Sequence, residues 1–191
     1  MTGKELHPII AQAAQGQLPD WARVKDSRMP HLASVAAVMQ DWATRLGLDR
    51  RERARWTAAG WLHDALRDAD PEGLAAEADE FPAKVRHGPA VAARLREAGV
   101  DDEEMLQAIA YHSLGCGGME RLGRYLYLAD YLEPGRTFDR TVLDELAQHL
   151  PHDPLTALRG VCARRIAHQL GKGTALRPET VAFWNELVGS R

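Results

Sequence analysis

Six side chains in this 191-residue chain are of types that could do chemistry together: His31, His63, Asp64, His87, His112 and Asp130. They fall one per predicted helix, apart from the adjacent His63-Asp64 pair, which continues the apolar segment Ala58-Ala59-Gly60-Trp61-Leu62. Imidazole and carboxylate together suit borderline divalent metals such as iron, manganese or zinc, and a carboxylate flanked by histidines can bridge two of them. Burying so many ionisable groups without a cation is costly, so a helical bundle that converges them is a candidate metal site. Each group could instead cap a helix or hydrogen-bond separately, and spacing leaves both readings open. A second dipeptide of the same composition, His152-Asp153, serves as an internal control. It sits between Pro151 and Pro154 with no apolar helical context and reads as a solvated turn.

The elements that must position these groups are helices. Lys4 to Gln15 predicts a first helix, broken at Leu18-Pro19-Asp20. From Pro30 to Gly47 the apolar positions Leu32, Val35, Ala36, Met39, Ala43 and Leu46 follow a three-four spacing. Asp49 can cap the next helix, whose stripe of Ala54, Ala58, Trp61, Leu62 and Ala65 carries His63 and Asp64 near its edge. A helix should start near His87 to Pro89 and end at Gly99. Asp101-Asp102-Glu103-Glu104 puts negative charge at the start of another, with Met105, Ala108, Ile109 and His112 on one face. Gly115-Cys116-Gly117-Gly118 must be a loop, because three glycines in four positions cost too much backbone entropy inside a helix. From Met119 a helix runs to Pro134-Gly135 with Asp130 near its end, and residues 139–149, 153–170 and 178–188 predict three more. Trp42, Trp56, Trp61 and Met119 read as core, and Trp184 as core or an oligomer contact.

Composition agrees with a helical fold. Alanine (30) and leucine (23) far outnumber valine (10) and isoleucine (4), which leaves too few β-branched residues for a large sheet. The two cysteines, Cys116 and Cys162, are neither numerous nor closely spaced, so no disulfide framework or zinc motif is expected. No apolar run exceeds five residues, which excludes a membrane span, and the N-terminus lacks a signal segment; the chain reads as cytoplasmic. A net charge of −3 argues against broad attraction to nucleic acid or anionic membranes, so any anionic ligand must be held locally.

The order His31, His63-Asp64, His87, His112, Asp130 resembles the HD-domain metal-dependent phosphohydrolases. The local wording is similar to one branch, the YqeK-type symmetrical diadenosine tetraphosphate hydrolases. The match is carried by Arg28-Met-Pro-His31, Leu62-His63-Asp64, His87-Gly-Pro-Ala, Arg96-Glu-Ala-Gly-Val, Ala108-Ile-Ala-Tyr-His112-Ser-Leu-Gly, Gly118-Met119 and Leu128-Ala-Asp130-Tyr-Leu-Glu133-Pro-Gly-Arg136. It implies an all-α, single-domain HD helical bundle: residues 1–27 a helical extension, 28–172 the HD domain, and 173–191 a helical tail packed on it.

The resemblance further implies a dinuclear site, with iron as the expected metal and manganese or another divalent ion as alternatives. His31, His63, Asp64 and Asp130 would hold one ion, and Asp64 would bridge to a second held by His87 and His112. A hydroxide between the two cations would cleave diadenosine tetraphosphate into two ADP. Asp64 and Arg67 would be catalytic, and Arg28, Arg67, Tyr131, Glu133 and Arg136 would meet the substrate. Two positions depart from the family pattern. Arg67 stands where the family usually has lysine, so a planar fork replaces a point donor. Cys116 and Gly117 stand where arginine and proline are common. A homodimer is implied by the resemblance alone. Two other readings remain: a related phosphohydrolase acting on mononucleotides or other dinucleotides, and a weakly active nucleotide-binding regulatory module.

Overall fold

The computed structural model describes residues 5–74, 78–135, 140–148 and 150–189. Their helices are α1 (Pro8–Ala13), α2 (Met29–Arg45), α3 (Arg50–Leu62), α4 (His87–Glu97), α5 (Glu103–Tyr111), α6 (Arg121–Leu132), α7 (Arg140–Ala147), α8 (Pro154–Gly171) and α9 (Pro178–Gly189), with no strand among the described residues. The all-α single-domain bundle expected from the helical periodicity and the resemblance is the fold observed. Lys4, Asp139 and His149, placed in helices by the sequence, lie outside the described residues, as does Arg136.

Each helix that carries a site residue begins or ends for a local reason. Pro30 occupies the first turn of α2, where its missing N–H costs nothing. The Asp49 carboxylate accepts from the Glu52 N–H at 2.8 Å and caps α3, and Asp102 caps α5 by accepting from Met105. Helices α2 and α3 approach closely because residue 60 is glycine: a Cβ there would lie 2.5 Å from the Ala36 Cα. Around this pair, α1 rests on α3, α4 on α5, and α6 contacts α5, α2 and α3 together. Trp42 and Trp56 are buried as expected, both against the Tyr125 ring, whereas Trp61 is only half-buried, over Gly16.

One difference from the sequence-based expectation matters. Helix α3 ends at Leu62, so His63 and Asp64 occupy tight turns rather than the helix that was to carry them. The cause lies far away in sequence, since the segment around residue 23 crosses here: the Arg23 N–H donates to the Ala65 carbonyl, and the Asp68 N–H donates to the Arg23 carbonyl. The C-terminal helix α9 is also tied to the loop after His112. Thr180 donates to the Leu114 carbonyl at 2.9 Å, Glu186 accepts from the Gly118 N–H at 2.6 Å, and Phe183 covers Gly115, whose φ of +70° favours glycine. No described helix is long and apolar enough to cross a membrane.

Candidate metal centre

The two most buried histidines use the same device. His63 and His112 each stand immediately after a helix, and each donates its Nδ1–H to the carbonyl three residues back, Gly60 and Ile109 respectively, at 2.8 Å. A carbonyl only accepts, so this bond fixes the tautomer and leaves the Nε2 lone pair aimed inward. His87 opens α4, and Gly88 beside it lets that turn lie against the end of α5. A Cβ at residue 88 would come within 2.8 Å of the Ile109 and Ala110 carbonyl oxygens. His87 Nε2 thereby reaches 3.3 Å from His112 Nε2.

On the other side, His31 in the first turn of α2 places Nδ1 3.2 Å from a Glu133 carboxylate oxygen and Nε2 3.3 Å from Asp130 Oδ1. Asp64 lies between the two groups. Its Oδ1 is 3.0 Å from His87 Nε2 and 3.4 Å from His112 Nε2. Its Oδ2 is 3.9 Å from His63 Nε2 and 4.0 Å from His31 Nε2. The six ligand-type residues drawn from the sequence are therefore all brought together.

The electrostatics suit cation binding. Burial pushes the His63 imidazole down to about 4, against the pull of Asp64, and burial likewise lowers His87. Burial opposes ionisation of both carboxyls, but the surrounding imidazoles hold Asp64 well below the usual carboxylate range, and His31 with Arg165 does the same for Asp130. Neutral imidazoles and ionised carboxylates are the forms that ligate. His63 Nε2 is buried with no hydrogen-bond partner. His31, His63 and Asp130, and separately His63, Asp64 and His112, can each present donor atoms within 4.8 Å of one another. An unpartnered lone pair inside such a donor set fits a metal ion and has no other evident use.

The remaining expected residues are placed as follows. Arg28 forms a bidentate pair with Asp68 at 3.0 and 3.2 Å and lies 3.6 Å from Asp64 Oδ2. Arg67 donates to the Lys84 carbonyl at 2.7 Å and lies 3.3 Å from His87 Nδ1. Tyr131 faces a cleft beside the centre, whereas Glu133 is buried behind His31 and away from it. Cys116 is buried near Glu186 and Glu179.

Sequence reasoning missed Arg165. From α8 it donates to Asp130 Oδ2 at 2.9 Å and to the Ser113 carbonyl at 2.8 Å, and its guanidinium lies over the Tyr127 and Tyr131 rings. It also missed Asp68, Lys84, Arg164 and His168. The last two, with Arg165, line a cleft of about 810 Å³ that opens beside the centre. The only available signal was the spacing of 164, 165 and 168, one face of a helix.

The sequence pattern of the HD domain matches residues 28–135. The chain belongs to the HD-domain family. The symmetrical bis(5'-nucleosyl)-tetraphosphatase of Bacillus subtilis (strain 168) is 31% identical over 157 residues, covering 82% of this chain and 76% of that protein. The protein of the same name from Halalkalibacterium halodurans is 27% identical, covering 85% and 90%. A crystal structure from Clostridium acetobutylicum, described as a predicted HD superfamily hydrolase involved in NAD metabolism, superposes with a TM-score of 0.78 at 26% identity, covering 95% and 96% of the two chains. This HD-domain protein is a metal-dependent phosphohydrolase.

Proposed function

We propose that this HD-domain protein cleaves diadenosine tetraphosphate symmetrically into two ADP at a dinuclear centre. The observation that carries the dinuclear reading is the division of Asp64, whose two oxygens face two different sets of imidazole nitrogens. The names of the Bacillus and Halalkalibacterium relatives support the substrate. In this reading His31, His63, Asp64 and Asp130 hold one cation, and Asp64, His87 and His112 hold the other, with iron the first choice and manganese the alternative. When bound, the pair supplies Lewis acidity toward phosphoryl oxygen and an activated water at neutral pH.

The protein's own groups do the rest. Glu133 holds the His31 ring by its Nδ1, and Arg165 holds Asp130, so both ligands are oriented in advance. Arg67, at the mouth of the centre, would meet charge that builds on the phosphoryl oxygens, and Arg28 near Asp64 would steer the polyphosphate inward. Iron-loaded protein incubated with diadenosine tetraphosphate and resolved by chromatography tests the proposal. ADP as sole product is expected. ATP plus AMP contradicts symmetric cleavage, and phosphate released from mononucleotides in its place favours the nucleotidase reading.

A further inference from the structure

The cleft beside the centre has a charge opposite to that of the chain. The protein carries a net −3, yet Arg67, Lys84, Arg164, Arg165 and His168 line this cleft and no aspartate or glutamate does, among the described residues. Its volume of about 810 Å³ is that of a small-molecule site. It adjoins the ligand set: Ser113, on its lining, places Oγ 3.0 Å from His112 Nε2, and Tyr131 is the chain neighbour of Asp130.

One wall is α8, which lies beyond the residues 28–135 that match the HD domain. Arg165 fixes how that helix is turned. Bonded at once to Asp130 and to the Ser113 carbonyl, and stacked over two tyrosines, its guanidinium is committed to the structure of the centre. Arg164 and His168 lie one residue before and three residues after it, half-buried and exposed respectively, so the anchoring that serves Asp130 also aims these two at the cleft. Lys84 comes from the opposite side, beside Arg67, which bonds its carbonyl.

Resting on the substrate proposed above, we infer that Arg164 and His168 of α8 bind the part of the polyphosphate that extends away from the metal centre, making α8 the element that selects long phosphate chains. A guanidinium pairs with phosphate oxygens through charge-assisted bonds that weaken with salt, and an imidazole N–H donates to the same oxygens. Neither residue belongs to the set of six ligand-type side chains.

The test uses the metal-loaded full chain with Arg164→Ala, His168→Ala and the double substitution. Two readings are taken: steady-state cleavage of diadenosine tetraphosphate, and calorimetric binding of its analogue with a methylene in place of the central bridging oxygen. The double variant should raise KM and the analogue's Kd about tenfold, leave kcat within about twofold, keep the metal content, and lose much of the salt dependence. His168→Ala, at an exposed position, should fold normally and show part of the effect. If the wild type cleaves the dinucleotide but KM and Kd in the variants stay within twofold, the role of α8 is overturned and the substrate stands. If the wild type binds the analogue through Arg164 and His168 but does not cleave the dinucleotide, the role of α8 stands and the substrate proposal falls.

Discussion

Two buried charged clusters in this protein are built on opposite terms. At Arg55 the guanidinium is 8% exposed and meets Asp102 twice at 2.7 Å, Glu52 at 2.7 Å and Glu104 at 3.0 Å. Burial works against its charge, and the bonds to Asp102, Glu52 and Glu104 more than restore it. The carboxylates are 22–30% exposed, so water completes their solvation. At Asp64 the carboxylate is 7% exposed, its nearest neighbours are imidazoles with the Arg28 guanidinium at 3.6 Å, and the Nε2 of His63 has no hydrogen-bond partner. The first cluster is complete as it stands and pins α3 to the start of α5. The second leaves the His63 Nε2 lone pair without a partner, which a bound cation would supply, and that incompleteness marks it as a candidate site.

Breaking each cluster should therefore give different losses. The largest is expected from Asp64→Ala, which touches both proposed ions: metal retention, read by elemental analysis, and hydrolysis should both vanish while the helical circular dichroism remains. Wild-type turnover would refute the bridging role. Arg55→Met should instead lower stability by about 3 kcal/mol, the low end for breaking a buried ion pair because its partners can hydrate. Denaturant unfolding measures this, and metal per folded chain should be unchanged.

The clusters also predict a graded case. Arg165→Met removes the support of Asp130 without removing a ligand, and should cost about 10–100-fold in metal affinity or activity, the usual effect of losing a partner that orients a ligand. Arg165→Lys should recover part of it. An effect below twofold would mean that Asp130 is held by packing alone. The smallest effect concerns Cys116, where burial near Glu186 and Glu179 pushes the thiol up to about 11. At pH 8 it should alkylate far more slowly in the native protein than after denaturation, and rapid native labelling would show that α9 does not cover the loop.

The bundle was legible because alanine- and leucine-rich periodicity, caps and glycine stops agree along most of the chain. The choice between the two His-Asp pairs was legible too. His63 and Asp64 are buried at the centre, whereas His152 and Asp153 are exposed in the turn before α8. The apolar run before the first pair carried that distinction. The end of α3 at Leu62 was not legible, since it depends on a crossing segment some forty residues earlier in the chain. Nor was Arg165: the periodicity of α8 marks a helix, but its apolar face does not say which arginine will reach a carboxylate 35 residues away in sequence. Glu133 was expected at the substrate from its place in the motif, and only the fold puts its carboxylate behind His31.

Crystals grown with manganese and measured at the metal's absorption edge test the bridging claim most directly. Two anomalous peaks are expected, one on each side of Asp64, the first among His31, His63 and Asp130 and the second beside His87 and His112. A single peak that leaves one Asp64 oxygen without a cation, or peaks elsewhere in the molecule, would contradict a dinuclear centre at this site.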